Sequence, residues 1–284
     1  MVKGAGHAGR AITVSPIAGA IGAELSGVDL GHLDEGVVAE IRRAWLEHQV
    51  VFFRDQDLTS EQFLAFARSI GEVTRYPFVP GIEGQPDIIA VTKLPHEQVN
   101  FGGIWHSDTA YLDEPPMATM LLAREVPPVG GDTLFASQYA AYEALSPAMR
   151  ELIGPLRGVN SSALADVSKT REDRLRDHDG GGEPQSYEAV HPVVRTHPET
   201  GRKALYVNVA HTARFDGMTE EESRPLLEFL FRHQVRPELT CRFHWAVGSL
   251  ALWDNRCAQH NPVNDYHGHT RRMLRITLAG DVPR

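Results

Sequence analysis

The sequence predicts a mainly β chain with flanking helices, folded as a β-sandwich or jelly roll. Short runs rich in β-branched and aromatic residues recur along it, bounded by Gly and Pro. The helical patterns cluster early and midway instead of alternating with the strands, which sets aside a series of βαβ units. No internal repeat and no Pro-rich linker divides the 284 residues, so 1–284 reads as a single domain.

The elements follow in order. Asp34 caps a helix whose apolar positions are Val37, Ile41, Ala44, Trp45 and His48. Gln49–Phe53 is the first clear strand. Thr59 and Gln62 form a capping box for a helix with Phe63, Phe66, Ala67 and Ile70 on one face, and Gly71 stops it. Asp87–Thr92 and Met117–Arg124 read as strands. Ser137 opens a helix running to Leu145, and Ser146-Pro147 starts another helical turn. Residues 160–188 read as a mobile loop or active-site lid, dense in charge from Lys169 to Glu183 and carrying Gly180-Gly181-Gly182. Ala204–Val209 is a strand. A second capping box, Thr219 with Glu222, leads into Leu226, Leu227 and Leu230, with Pro225 expected to kink the helix. Cys241–Val247, Leu250–Trp253 and Arg271–Ala279 complete the strands.

The formal charge of −9, with no basic stripe, argues against nucleic acid and anionic membranes as partners. A small molecule is the expected partner. Two cysteines, Cys241 and Cys257, make no disulfide framework and read as reduced, packed thiols. No apolar run approaches a membrane span, and Met1 to Arg10 lacks the apolar stretch of a signal peptide, so a cytoplasmic location is expected. The general preference for symmetric assemblies makes a homodimer or tetramer the default.

Metal chemistry enters through His106-Ser107-Asp108. Two His and one carboxylate on one face leave open positions on iron(II). Residues i and i+2 of an extended strand point the same way, so His106 and Asp108 can reach one ion. His32-Leu33-Asp34 is a rival, better read as a turn and helix cap. A third ligand must come from a distant segment. Trp253-Asp254-Asn255-Arg256 ends a strand and turns, and His260 follows. Beyond it, Arg271, Met273 and Arg275 share one strand face, while Arg272 and Leu274 take the other. A buried Arg needs a carboxylate partner, and a dicarboxylate ligand would supply it.

These residues bring a resemblance with them. Trp105-His106-Ser107-Asp108, Gly130-Gly131-Asp132-Thr133, Trp253-Asp254-Asn255-Arg256, His260 and Arg271–Arg275 resemble the taurine/dichlorophenoxyacetate dioxygenase family, from about Ser15 to Pro283. Gly22-Ala23-Glu24, Val50–Gln56 and His191–Pro198 support it. The resemblance implies a double-stranded β-helix, the cupin-like jelly roll. It implies Fe(II) on His106, Asp108 and His260 as the catalytic centre, 2-oxoglutarate as co-substrate, and dioxygen. It places Thr133 and Arg271 on the distal carboxylate of 2-oxoglutarate, and Arg275 near a carboxylate of substrate or co-substrate.

The implied reaction hydroxylates a small anionic compound and releases succinate and carbon dioxide. A sulfonate, sulfate ester, phosphonate or aryloxy or other carboxylic acid would fit Arg275. Tyr76, Asn100, Phe101, Thr109, Tyr111, Asn208 and His211 are the candidates to line the substrate pocket. Val79, Gly102 and His211 depart from the pattern of relatives that bind taurine, which points away from taurine itself. The competing readings are a metal-dependent hydrolase on the same ligands and a non-catalytic jelly-roll binding protein. Neither accounts for Thr133 and the Arg271 segment together.

Overall fold

The computed structural model describes residues 12–100, 102–164 and 186–284. Its centre is a large sheet in the order β1 (Thr13–Pro16), β2 (Ala23–Ser26), β3 (Val50–Phe53), β14 (Leu250–Asp254), β6 (Ala118–Glu125), β16 (Arg271–Leu278), β4 (Val73–Thr74), with β5 (Ile89–Lys93) also paired to β16. Side chains alternate between faces along a strand, and here both faces are covered. Val51, Phe53, Met120, Leu122, Leu250, Leu252, Ile276 and Leu278 pack outward on α1 (Glu35–His48) and α2 (Ser60–Ile70). Val50, Phe52, Leu121, Ala123, Ala251, Trp253 and Met273 point the other way. They meet Phe135, Cys241, Phe243 and Ala258 of a second sheet, β13 (Thr240–Phe243), β7 (Thr133–Ser137), β15 (Ala258–Pro262). The two facing sheets make the jelly roll, and helices cover one side of it.

A third apolar cluster joins α3 (Gln138–Glu143), α4 (Pro147–Ile153) and α5 (Glu220–His233) to the hairpin β10 (Val194–Thr196) and β11 (Lys203–Leu205). A three-stranded sheet, β12 (Thr212–Phe215), β8 (Arg157–Ser161), β9 (Glu188–Pro192), flanks it. Both capping boxes form as the sequence indicates, on Thr59 and on Thr219. Ser137 and Ser146 each cap a helix, although the first of these ends before Leu145. Both cysteines are buried and free. Among the described residues, no helix is long and apolar enough to cross a membrane.

The structure corrects several boundaries. Gln49 is the left-handed cap of α1 (φ 67°), its N–H bonded to the Trp45 carbonyl, and the strand starts at Val50. The expected strand Ala204–Val209 stops at Leu205. Beyond it the backbone turns to other partners: Tyr206 N–H donates to Val193 O, and Val207 O accepts from the Gln259 side chain. α5 runs unbroken through Pro225, which sits on the solvent side, so the carbonyl it leaves unbonded can meet water. The ends of the 160–188 segment are strand, with Asn160 opposite Ala189 and Ser161 opposite Glu188. The lid expectation otherwise falls largely on 165–185, which lie outside the described residues, as does Phe101.

Candidate active site

His260 stands on β15, and His106 lies opposite it in an isolated antiparallel bridge. Two backbone hydrogen bonds close that bridge, His106 N to His260 O (3.1 Å) and His260 N to His106 O (2.9 Å). The expectation that His106 and Asp108 share an extended strand is corrected here. The chain turns straight after the bridge, and Thr109 takes a left-handed φ of 41°. The turn still carries Asp108 inward, to 3.8 Å between its Oδ1 and His106 Nε2. One donor atom each from His106, Asp108 and His260 lie within 4.8 Å of one another, and all three residues are buried. His106 Nδ1 sits 2.7 Å from Ile104 O. A carbonyl only accepts, so Nδ1 carries the hydrogen and Nε2 turns its lone pair toward the cluster. The rival segment is built otherwise: Asp34 caps α1, and exposed His32 pairs with Asp29.

Burial opposes the charge on Asp108. The Arg275 guanidinium, then His260, His106 and the Thr119 hydroxyl outweigh it and hold the carboxyl well below the usual carboxylate range. Burial also pushes the His106 and His260 imidazoles down, favouring the unprotonated rings that a cation needs.

Beside the cluster lies a cavity of about 40 Å³, bounded by Thr133, Arg271, Arg275 and His260 and walled by Leu121 and Trp253. Arg271 is 5 % exposed, and its Nε and Nη2 find no hydrogen-bond partner among the described residues. Its cross-strand neighbour Lys93 is also buried, with Nζ over the Tyr266 ring, so no anion faces Arg271 from that side. Arg272 points to solvent. Arg275 Nη2 lies 3.0 Å from Asp108 Oδ1 as an ion pair, yet neither Nη2 nor Nε has a hydrogen bond of good geometry. A buried guanidinium without an acceptor is costly. Arg271 lacks an acceptor among the described residues and Arg275 is held by its ion pair with Asp108, so the cavity can take a carboxylate at Arg271.

Thr133 completes that receptor. Trp245 Nε1–H donates to its Oγ1 (3.0 Å), which leaves the threonine's own hydrogen free to donate into the cavity. Gly130 and Gly131, both at positive φ, carry the chain into β7. Asp265 accepts from Gly131 N–H (2.7 Å), and a Cβ at Gly131 would sit 3.4 Å from Arg271 Cδ. The loop and the guanidinium therefore pack tightly. Three buried donors that can bind a metal, next to an Arg271 guanidinium with two N–H groups free among the described residues, fit a metal ion together with a dicarboxylate.

The substrate candidates lie at different distances from the cluster. Tyr111 and His211 come close to the cluster: the His211 ring is 6.1 Å from His106 and 5.0 Å from Tyr111, centre to centre. Burial, then neighbouring His106, pushes the His211 imidazole down to about 3. Tyr76 lies under the Arg275 guanidinium, 4.8 Å from it. Asn100 and His211 line a second hollow against His106. The Asn100 amide is already bonded to Pro262 O and the Tyr266 hydroxyl. Asn208 is buried in the turn before β12, its carbonyl accepting from Thr212 N, with its own Oδ1 unpartnered among the described residues. Thr109 is buried in the turn after Asp108.

Thr119, Trp245 and Lys93 face this site without having been singled out in the sequence. Thr119 and Lys93 belong to strands and Trp245 follows β13, and for each a partner far along the chain determines what it meets; Trp245 and Thr133 are 112 residues apart. A second buried group, His197, Asp254 and Cys257, has its carboxylate filled by Arg256 at 2.8 and 2.7 Å.

Residues 13–277 match the family model described as "Taurine catabolism dioxygenase TauD, TfdA family". The chain is 36 % identical to an alpha-ketoglutarate-dependent sulfate ester dioxygenase of Pseudomonas putida, over 96 % of this chain and 91 % of that protein. It is 35 % identical to an alkylsulfatase of Acinetobacter baylyi, over 94 % of this chain and 84 % of that one. The crystal structure of a taurine dioxygenase from Burkholderia xenovorans superposes with a TM-score of 0.80 at 39 % identity, covering 96 % of this chain and 90 % of that one.

Proposed function

We propose, for a chain that belongs to the taurine catabolism dioxygenase TauD, TfdA family, that His106, Asp108 and His260 hold its iron(II) and that Arg271, Thr133 and Arg275 hold its 2-oxoglutarate. The protein is an iron(II)- and 2-oxoglutarate-dependent dioxygenase acting on an anionic organic substrate. The observation that carries the residue assignment is the buried Arg271 guanidinium, whose Nε and Nη2 have no hydrogen-bond partner among the described residues, in a cavity that ends at His260. A zinc hydrolase on the same ligands would leave Arg271 without an acceptor.

The chemistry supplied by iron(II) and 2-oxoglutarate when bound is the coupling of co-substrate decarboxylation, to succinate and carbon dioxide, with insertion of one oxygen atom into a substrate C–H bond. The chain's own part is placement. The Arg271 fork and the Thr133 hydroxyl fix one carboxylate end of the co-substrate. The His106 ring is fixed by Ile104 O, and Asp108 stays ionised beside Arg275. Leu121 and Trp253 give the cavity an apolar wall.

Two of the relatives bear names that denote action on sulfate esters, so an alkyl sulfate is the substrate class proposed first. Hydroxylation of the carbon bearing the ester oxygen gives a product that collapses to an aldehyde and inorganic sulfate. Tyr111, His211 and Tyr76 are the proposed substrate contacts. The proposal also takes 1–284 as one catalytic domain, a cytoplasmic location, and a homodimer or tetramer as the working assembly.

The test begins with anaerobic protein, iron(II) and 2-oxoglutarate, read by the weak visible charge-transfer band. Oxygen is then admitted with a panel of alkyl sulfates, sulfonates, phosphonates and aryloxy acids, and succinate and sulfate are counted. The expected result is a band lost in His106→Ala and succinate formed in step with sulfate. No band and no succinate, with metal demonstrably bound, would remove the co-substrate assignment. Succinate coupled to another panel member would replace the substrate class alone.

A further inference from the structure

Asp108 has two carboxylate oxygens, and they sit in different surroundings. Oδ1 faces His106 Nε2 at 3.8 Å and Arg275 at 3.0 Å. Oδ2 accepts the hydroxyl of Thr119 at 2.6 Å. Thr119 stands on the inner face of β6, directly opposite Trp253 of β14, and is fully buried. Its hydroxyl does not choose its own direction. Asn255 Nδ2 donates to Thr119 Oγ1 (3.1 Å), and Trp253 Nε1 donates to Asn255 Oδ1 (3.0 Å). An indole N–H only donates, so the Asn255 amide must turn its oxygen to Trp253 and its NH₂ to Thr119. With that NH₂ donated to Oγ1, the threonine hydrogen has Oδ2 as its acceptor. The relay Trp253, Asn255, Thr119, Asp108 therefore has a single sense, and every member is buried.

We propose that Thr119, oriented by Asn255, is a positioning residue that commits Asp108 to bind the metal through Oδ1 alone. This rests on the metal centre proposed above. A carboxylate bound through both oxygens would take one more coordination position. A chelating 2-oxo acid and dioxygen need all three that the two histidines and one carboxylate oxygen leave open. The Thr119 bond keeps Oδ2 occupied and the carboxylate plane fixed, so the open face is set before any ligand arrives.

The experiment titrates cobalt(II) into metal-free full-length protein, without co-substrate, and records both affinity and the visible ligand-field spectrum. Wild type is compared with Thr119→Val, which keeps the shape and loses the hydroxyl, with Thr119→Ser, which restores it, and with Asp108→Ala. Loss of an outer-shell partner weakens metal binding by roughly 10- to 100-fold. That loss is expected in Thr119→Val, with a changed spectrum, and Thr119→Ser is expected to return both readouts to the wild-type values. A structural role for the residue would not give rescue of the spectrum by serine. Thr119→Ala, which adds no bulk, replaces the valine variant if that one fails to fold. Wild-type affinity and spectrum in the hydroxyl-free variant overturn the proposal while Asp108→Ala still abolishes binding. If Asp108→Ala binds cobalt(II) as wild type does, the metal centre itself is wrong and this inference falls with it.

Discussion

Arg271 faces the cavity and Arg272 faces solvent, one residue apart on β16. The strand's alternation separates two chemically identical side chains into a buried group lining the cavity and a surface charge. A buried charge that loses its partner costs about 3–5 kcal/mol, or roughly 100-fold or more in affinity. Arg271→Ala is therefore expected to weaken 2-oxoglutarate binding by at least about 100-fold, read by titrating the visible band at fixed iron(II). Arg272→Ala should leave that titration unchanged. Arg271→Lys should fall between, because an ammonium supplies a point charge where the fork supplied two parallel bonds. Equal losses at 271 and 272 would show that net positive charge, not the fork in the cavity, binds the co-substrate.

At the level of elements, β3 shows what holds the layers together. Its four residues are all buried, Val51 and Phe53 under the helices, Val50 and Phe52 between the sheets. Phe52 stacks on Phe243 at 4.0 Å and meets Phe135 edge-on at 5.5 Å. Phe52→Ala should cost about 3–5 kcal/mol in urea unfolding, and Thr59→Ala at the α2 cap about 1 kcal/mol. A cost near 1 kcal/mol for Phe52→Ala would mean that the two sheets close over the gap. These two positions also mark what could be read from the sequence. The Thr59–Gln62 box is a contact within four residues, so the letters alone specify it. The strand β3 was visible as an apolar run, but its boundary with α1 depended on one left-handed residue, Gln49, which carries no distinctive letter. The short strands β8, β9 and β12 went unread because each is defined by pairing across a distance the sequence does not encode locally. The site divided in the same way. His106, Asp108, His260 and the parity of Arg271 and Arg275 were legible as motif and alternation. Thr119 was an ordinary strand residue until β14 was laid beside it.

Over the whole molecule, a polar network running from the surface inward ties the helical layer to the turn that leads to His260. Arg42 of α1 reaches Glu199 (2.7 Å), Glu199 reaches Arg256 (2.8 Å), and Arg256 grips Asp254 through two bonds of 2.8 and 2.7 Å. His197 Nδ1 accepts from the Glu199 and Thr200 backbone N–H groups, so its Nε2 bears the hydrogen and donates to Asp254 (3.0 Å). Burial works against the charge on Asp254, but Arg256 and His197 overcome it and hold the carboxyl well below its ordinary value of 3.8. A carboxyl depressed on folding contributes stability that is fully present above its unfolded value. That stability is lost as pH falls below 3.8 toward the folded value, because the unfolded chain then takes up the proton first. Asp254→Asn leaves Arg256 and its charge short of a partner, at a cost of about 3–5 kcal/mol near pH 7. The gap between wild type and Asp254→Asn in urea unfolding should therefore stay constant from pH 7 down to about 4 and narrow below it. Its narrowing well above pH 4 would place the controlling titration on another group. A constant gap at every pH would show that Asp254 contributes its shape and hydrogen bonds to the network, and not its charge.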